Sequence, residues 1–283
     1  LSLLTACGRG GPPDDAAPGG EPPGVGTEPG DRPDPTEPPP ASAVPGWLAY
    51  LTLEEKLGQL FWVGLPGTGL TEESRQLLAE GKVGGFIFFG RQGSDPEVLR
   101  RLTGELQAAA ARDRAAPGLV IAVDHEGGLV QRFGPPFTQW PGAMTLGAAG
   151  SAAYAEAMGR AMARELRAVG VNMNLAPVAD VNNNPANPVI GTRSFGEEPG
   201  LVAEMAAALA AGMQEEGVSA VAKHFPGHGD TAVDSHLDLP VISHDRERLD
   251  RVELVPFRAA IDAGIDAIMA AHIVFPAVAQ DGR

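Results

Sequence analysis

Six short apolar runs recur along this chain, each separated from the next by enough residues for a helix, and this alternation constrains the fold more than any other feature. The runs are Gln59 to Gly64, Val83 to Phe89, Leu119 to Val123, Val171 to Leu175, Val218 to Ala222 and Ile265 to Ala271. Between them, Ala153 to Val169, Leu201 to Glu216 and Pro256 to Ala263 carry helical periodicity. Gly170, Gly217 and Gly264 stand where a helix C-terminus takes a left-handed residue, and Pro256 fits a first helical position. Runs apolar on both faces and separated by helices predict a parallel sheet, either doubly wound or a (β/α)8 barrel.

Polar residues favour the barrel. Arg91 follows the second run, Asp124-His125-Glu126 the third, Asn174 and Asp180 the fourth, Lys223-His224 the fifth and His272 the sixth. Only a barrel gathers the carboxyl ends of so many strands on one face, whereas a doubly wound sheet draws its site from two neighbouring loops. Gly64 to Gly69 lacks the Lys-Ser/Thr of a phosphate loop and reads as a plain turn.

The chain divides into three parts: 1–7, 8–45 and 46–283. Residues 8–45 hold 12 of the 26 prolines and seven acids against Arg9 and Arg32, a composition that predicts an extended, disordered tether. Just before it, Leu4-Thr5-Ala6-Cys7 reads as the end of a lipoprotein signal peptide. Cys7 is then the lipidation site and the membrane anchor, and the expected location is the bacterial cell envelope, outside the cytoplasmic membrane. A lone cysteine excludes an internal disulfide. With 36 acids against 21 bases, a net charge of −15 and no basic cluster, nucleic acid is excluded as an expected partner.

The densest chemistry lies in Lys223-His224-Phe225-Pro226-Gly227-His228-Gly229-Asp230-Thr231-Ala232-Val233-Asp234-Ser235-His236. A metal site could use His224, His228 and His236 with Asp230, although Pro226-Gly227 breaks the helix on which an i,i+4 pair would work. A Ser-His-Asp hydrolase would need Asp234, Ser235 and His236, which as neighbours seldom reach the required geometry. In the third reading Asp234 accepts a hydrogen bond from one imidazole nitrogen and leaves the other to carry a proton to and from substrate. In the fourth the loop merely satisfies its own backbone.

This loop resembles the signature of bacterial β-N-acetylglucosaminidases of glycoside hydrolase family 3, the NagZ-like branch: Lys-His-Phe/Ile-Pro-Gly-x-Gly-x-x-x-x-Asp-Ser/Thr-His. Leu53 to Leu60, Val83 to Arg91, Val123 to Phe133, Asn174 to Val181 and Gly191 to Phe195 resemble the same family, so the likeness runs from about Leu48 to Pro276. It implies a TIM-type barrel and a retaining exo-glycosidase that removes terminal β-linked N-acetylglucosamine from cell-wall fragments or muropeptides, without a cofactor or metal. His236 would be the acid/base and Asp234 its orienting partner. Asp124, Arg132, Arg193, Lys223 and His224 would line the sugar subsite. Gln92-Gly93 stands where the family often has Asn-Ile, and His125 where it commonly has Gln, which leaves details of the sugar contacts open. The family nucleophile is an aspartate after a seventh strand, expected beyond Arg283. About six of eight β/α units are therefore expected here, in a polypeptide truncated at both ends that folds poorly or is inactive by itself. A catalytically inactive sugar-binding lipoprotein is the alternative.

Overall fold

The computed structural model describes residues 4–6, 44–112, 117–235 and 237–278. Cys7 and most of the 8–45 segment lie outside the described residues. The strands are β1 (Leu4–Ala6), β2 (Trp62–Gly64), β3 (Gly85–Phe88), β4 (Val120–Val123), β5 (His125–Gly127), β6 (Val130–Gln131), β7 (Met173–Asn174), β8 (Ser219–Phe225) and β9 (Ala267–Ala270). The helices are α1 (Val44–Tyr50), α2 (Leu53–Gly58), α3 (Glu72–Ala79), α4 (Pro96–Arg112), α5 (Ala143–Ala149), α6 (Ala152–Ala168), α7 (Pro199–Glu215), α8 (Arg246–Arg251) and α9 (Val255–Asp262).

Local chemistry sets the ends of these elements. Thr52 and Glu55 form a reciprocal capping box at α2, and the side chains of Thr71 and Asp245 cap α3 and α8. Gly170, Gly217 and Gly264 follow α6, α7 and α9 with φ of 80°, 80° and 78°, as the helical pattern predicts. Pro256 is the second residue of α9, one position later than expected, and Pro199 opens α7.

The sheet order is β9-β8-β7-β4-β3-β2, every neighbouring pair parallel, with β1 antiparallel on β9. Each of the six expected apolar runs supplies one of these parallel strands. The curled sheet with its helices makes six β/α units of a TIM-type barrel. Among the described residues no pairing joins β2 to β9.

Alternation along the strands splits the apolar residues into two layers. Phe86, Phe88, Ile121, Val123, Ala220 and Ala222 belong to the large core beneath the helices. Ala122, Leu175, Val221 and Ala267 form the smaller cluster with Ile87, Val120 and Met269 on the inner face. Counting by twos along the inner face leads from Val120 and Ala122 to Asp124, and from Val221 to Lys223. Parity alone therefore sends a carboxylate and an ammonium to the carboxyl-end mouth of the sheet.

Helices α6 and α7 make the closest helix contact, through reciprocal glycines. A Cβ on Gly159 would lie 2.3 Å from the Leu209 carbonyl oxygen, and one on Gly212 2.2 Å from that of Glu156. Only glycine lets these backbones touch.

Candidate active site

Lys223 is the centre of the polar cluster. Its side chain is 2% exposed, and Nζ lies 2.7 Å from Asp124 Oδ1 and 2.7 Å from Glu126 Oε1. Arg193, on the 3-10 turn Gly191–Arg193, grips Glu126 with two bonds, Nε to Oε2 at 2.9 Å and Nη2 to Oε1 at 2.8 Å. Burial pushes the Glu126 carboxyl up, but Lys223 and Arg193 outweigh it and hold the group at about 2. Arg132 Nη2 stands 3.7 Å from Asp124 Oδ2. Asp124 is 17% exposed, the most open carboxylate of the cluster.

A bulge between Lys223 and Phe225 inserts one extra residue in β8. Consecutive residues thereby serve the same mouth: Lys223 meets Asp124 and Glu126, while His224 meets Asp180. His224 Nδ1 lies 2.7 Å from Asp180 Oδ2. The other oxygen accepts from the backbone N–H of His228 at 2.7 Å and of His224 at 3.2 Å. Full burial pushes the Asp180 carboxyl up, yet the His224 imidazole and these N–H groups outweigh it and hold it below the ordinary carboxylate range. An ionised Asp180 assigns the proton to Nδ1, so Nε2, 3.5 Å from Arg193 Nη2, is the acceptor nitrogen. Asp124, Glu126 and Asp180 thus face Lys223, Arg132, Arg193 and the His224 imidazole. Such an array of fixed donors and acceptors suits a polyhydroxylated, uncharged ligand.

The β5–β6 hairpin holds the two outer carboxylates in register. Asn174, fully buried, accepts from the His125 N–H at 3.0 Å and donates to the His125 carbonyl at 2.8 Å. The His125 ring points the other way, with ring centroids 5.5 Å from Phe133 and 6.5 Å from Phe137. Burial lowers this imidazole to about 4.

The Glycosyl hydrolase family 3 N terminal domain matches residues 52–282. The chain belongs to glycosyl hydrolase family 3. Among curated family members it is 41% identical over 228 residues to a beta-hexosaminidase of Nitrosomonas eutropha, covering 78% of this chain and 64% of that protein. Among solved structures, a β-N-acetylglucosaminidase from Paenibacillus sp. str. FPU-7 matches with a TM-score of 0.80 and 49% identity over 82% of this chain and 44% of that one. NagZ from Neisseria gonorrhoeae, solved with N-trifluoroacetyl-D-glucosamine, matches with a TM-score of 0.72 and 39% identity over 78% and 65% of the two chains. The chain thus spans less than two thirds of the length of these family relatives.

Within this family domain, Asp124, Arg132, Arg193, Lys223 and His224 converge at the strand ends. Asp234 sits half-buried in the loop after β8, and His236 lies outside the described residues. His228 is held by Thr231 at Nδ1 and Ser235 at Nε2, both at 2.8 Å. With His224 on Asp180, two of the three histidines of the loop-metal reading are already engaged. Ser235 is likewise bonded to His228. His125, which left details of the sugar contacts open, turns its ring into the core against Phe133 and Phe137. Glu126 and Asp180 were visible as polar residues at strand ends, and pairing of Arg132 or Arg193 with Asp124 or Glu126 to settle buried charge was open from the sequence, but nothing there paired Asp180 with His224.

Proposed function

We propose that this domain is the sugar-binding and proton-transfer part of a retaining exo-β-N-acetylglucosaminidase acting on cell-wall fragments in the bacterial envelope, held to a membrane by a lipid on Cys7. The observation that carries the reading is Asp124, fixed at the mouth by Lys223 at 2.7 Å and flanked by Arg132 at 3.7 Å, with an edge open to accept from sugar hydroxyls. The names of the 39–49% identical relatives supply the N-acetylglucosamine specificity. Glu126 and Asp180 are each buried and paired; the family resemblance, not the geometry, implies a nucleophilic aspartate after a seventh strand, beyond Arg283.

In the first step that carboxylate bonds to the anomeric carbon while His236, oriented by Asp234, gives a proton to the departing glycosidic oxygen. In the second, His236 takes a proton from water as water displaces the carboxylate. An imidazole with an unperturbed pKa near ~6.5 suits both transfers.

The test is hydrolysis of aryl N-acetyl-β-glucosaminides by the full-length gene product. His236→Ala should slow turnover by roughly 100-fold or more for poor leaving groups, and far less for nitrophenyl. Equal loss on both would remove His236 from the acid role. Sugar binding without turnover in the wild-type protein would favour the inactive sugar-binding alternative.

A further inference from the structure

Beside the sugar-binding cluster, the segment after β8 brings together a second set of ligating atoms. Asp230, His244 and Glu253 each offer one oxygen or nitrogen such that the three atoms lie within 4.8 Å of one another. His244 Nε2 is 2.8 Å from Asp230 Oδ2 and 3.9 Å from Glu253 Oε1. Bonds of about 2.0–2.1 Å around tetrahedral zinc place neighbouring ligand atoms about 3.3 Å apart, and the two observed separations bracket that edge.

Glu253 supplies an independent observation. It is 2% exposed, and its Oε2 is buried without a hydrogen-bond partner. The side chain has no room to withdraw toward the loop, because a Cβ on Gly227 would already lie 2.8 Å from Glu253 Cβ. A buried carboxylate oxygen without a donor is costly unless something positive completes it. Arg248 does this in part, with Nη2 3.1 Å from Glu253 Oε1 and 3.9 Å from Asp230 Oδ2. Two carboxylates against one guanidinium leave a negative charge when His244 is neutral. Arg248 is 35% exposed on its side chain and can turn to solvent.

We propose that Asp230, His244 and Glu253 form a binding site for a divalent transition-metal ion of the zinc class, which replaces the Arg248 guanidinium. One imidazole with two carboxylates favours zinc or cobalt over magnesium or calcium, and leaves a fourth position for water. Asp230 and His244 bracket the segment that carries Asp234 and His236, and Glu253 lies between α8 and α9. An ion here staples both ends of that segment to the helical corner. The site does not depend on the glycosidase reading.

The test is titration of the metal-stripped full chain with cobalt(II), followed by its visible absorption, and with zinc by calorimetry. One ion per chain is expected. His244→Gln and Asp230→Asn should weaken it at least about tenfold, while Arg248→Gln should tighten it, a gain that a purely structural ion pair would not give. An Asp234→Asn/His236→Ala double variant should still bind one ion. Circular dichroism checks that the variants fold; His244 is partly exposed, so its variant is the most tolerant. The proposal is overturned if the folded wild-type chain takes up no ion, if His244→Gln binds as tightly as wild type, or if the double variant abolishes binding.

Discussion

Replacing Lys223 by methionine keeps most of the buried stem and removes the charge between Asp124 and Glu126. In the wild type Lys223 and Arg193 together outweigh burial and hold Glu126 at about 2 against an ordinary 4.5, a net difference worth about 3.4 kcal/mol. Losing one partner of a buried ion pair costs about 3–5 kcal/mol, and Lys223, only 1% exposed, serves two carboxylates. A loss of about 3 kcal/mol at pH 7 is expected. The acid dependence makes the argument specific. A carboxyl whose folded pKa is depressed contributes stability above its unfolded value, and that contribution falls away as the pH drops from 4.5 toward 2. Without Lys223 only Arg193 still holds the Glu126 carboxyl down, so its pKa moves part of the way back and the variant weakens less than the wild type in this window. By about pH 3.5 the difference between the two proteins should narrow, by at most about 1.4 kcal/mol. Urea denaturation of the full-length protein, followed by tryptophan fluorescence at both pH values, measures both quantities. A loss under about 1 kcal/mol at pH 7, or a difference that does not change with pH, would refute the reasoning.

Three other perturbations test the frame around the site. Asn174→Ala strands both backbone groups of His125 and should cost about 2–4 kcal/mol in the same denaturation assay. His125 is held at about 4 against 6.5, so its contribution is lost as pH falls from 6.5 toward 4, up to about 3.4 kcal/mol; His125→Phe should flatten the stability profile in that window. Gly212→Ala drives a methyl to 2.2 Å from the Glu156 carbonyl oxygen and should lower the calorimetric Tm through a loss of about 1–3 kcal/mol, whereas an unchanged Tm would mean that α6 and α7 part freely.

The six parallel strands were legible because each is an apolar run closed by punctuation, and the glycines after α6, α7 and α9 marked where the chain turns back. The β5–β6 hairpin was not, since His125-Glu126-Gly127 has no apolar run and owes its form to the Asn174 side chain, 49 residues away. The residues that converge at the strand ends, Asp124, Arg132, Arg193, Lys223 and His224, were singled out through the family motif. Their wiring was legible only in part: an arginine on Asp124 or Glu126 was foreseeable as charge balance, but which one was not, with Arg193 and Glu126 67 residues apart, and nothing pointed to His224 on Asp180, 44 apart. Spacing cannot announce such pairs, which exist only once neighbouring strand ends converge. His244 and Glu253 escaped notice for the same reason, lying in a segment that reads as polar loop and short helix, and Asp230 was legible as a ligand only beside His224, His228 and His236.

Residues 124–126 finally make one short stretch of backbone the boundary between two media. Asp124 and Glu126 face the Lys223 and Arg193 cations, while His125 between them rests on Phe133 and Phe137, whose ring centroids are 5.0 Å apart. The distance between the two carboxylates is therefore a ruler cut by the peptide pleat, and the aromatic pair is the bench on which it lies. Changes in ring size at 133 or 137 would slide that ruler past Lys223 and Arg193 without altering a single polar atom. Under the proposed sugar-binding role, selectivity would in this way drift through residues that never meet the ligand.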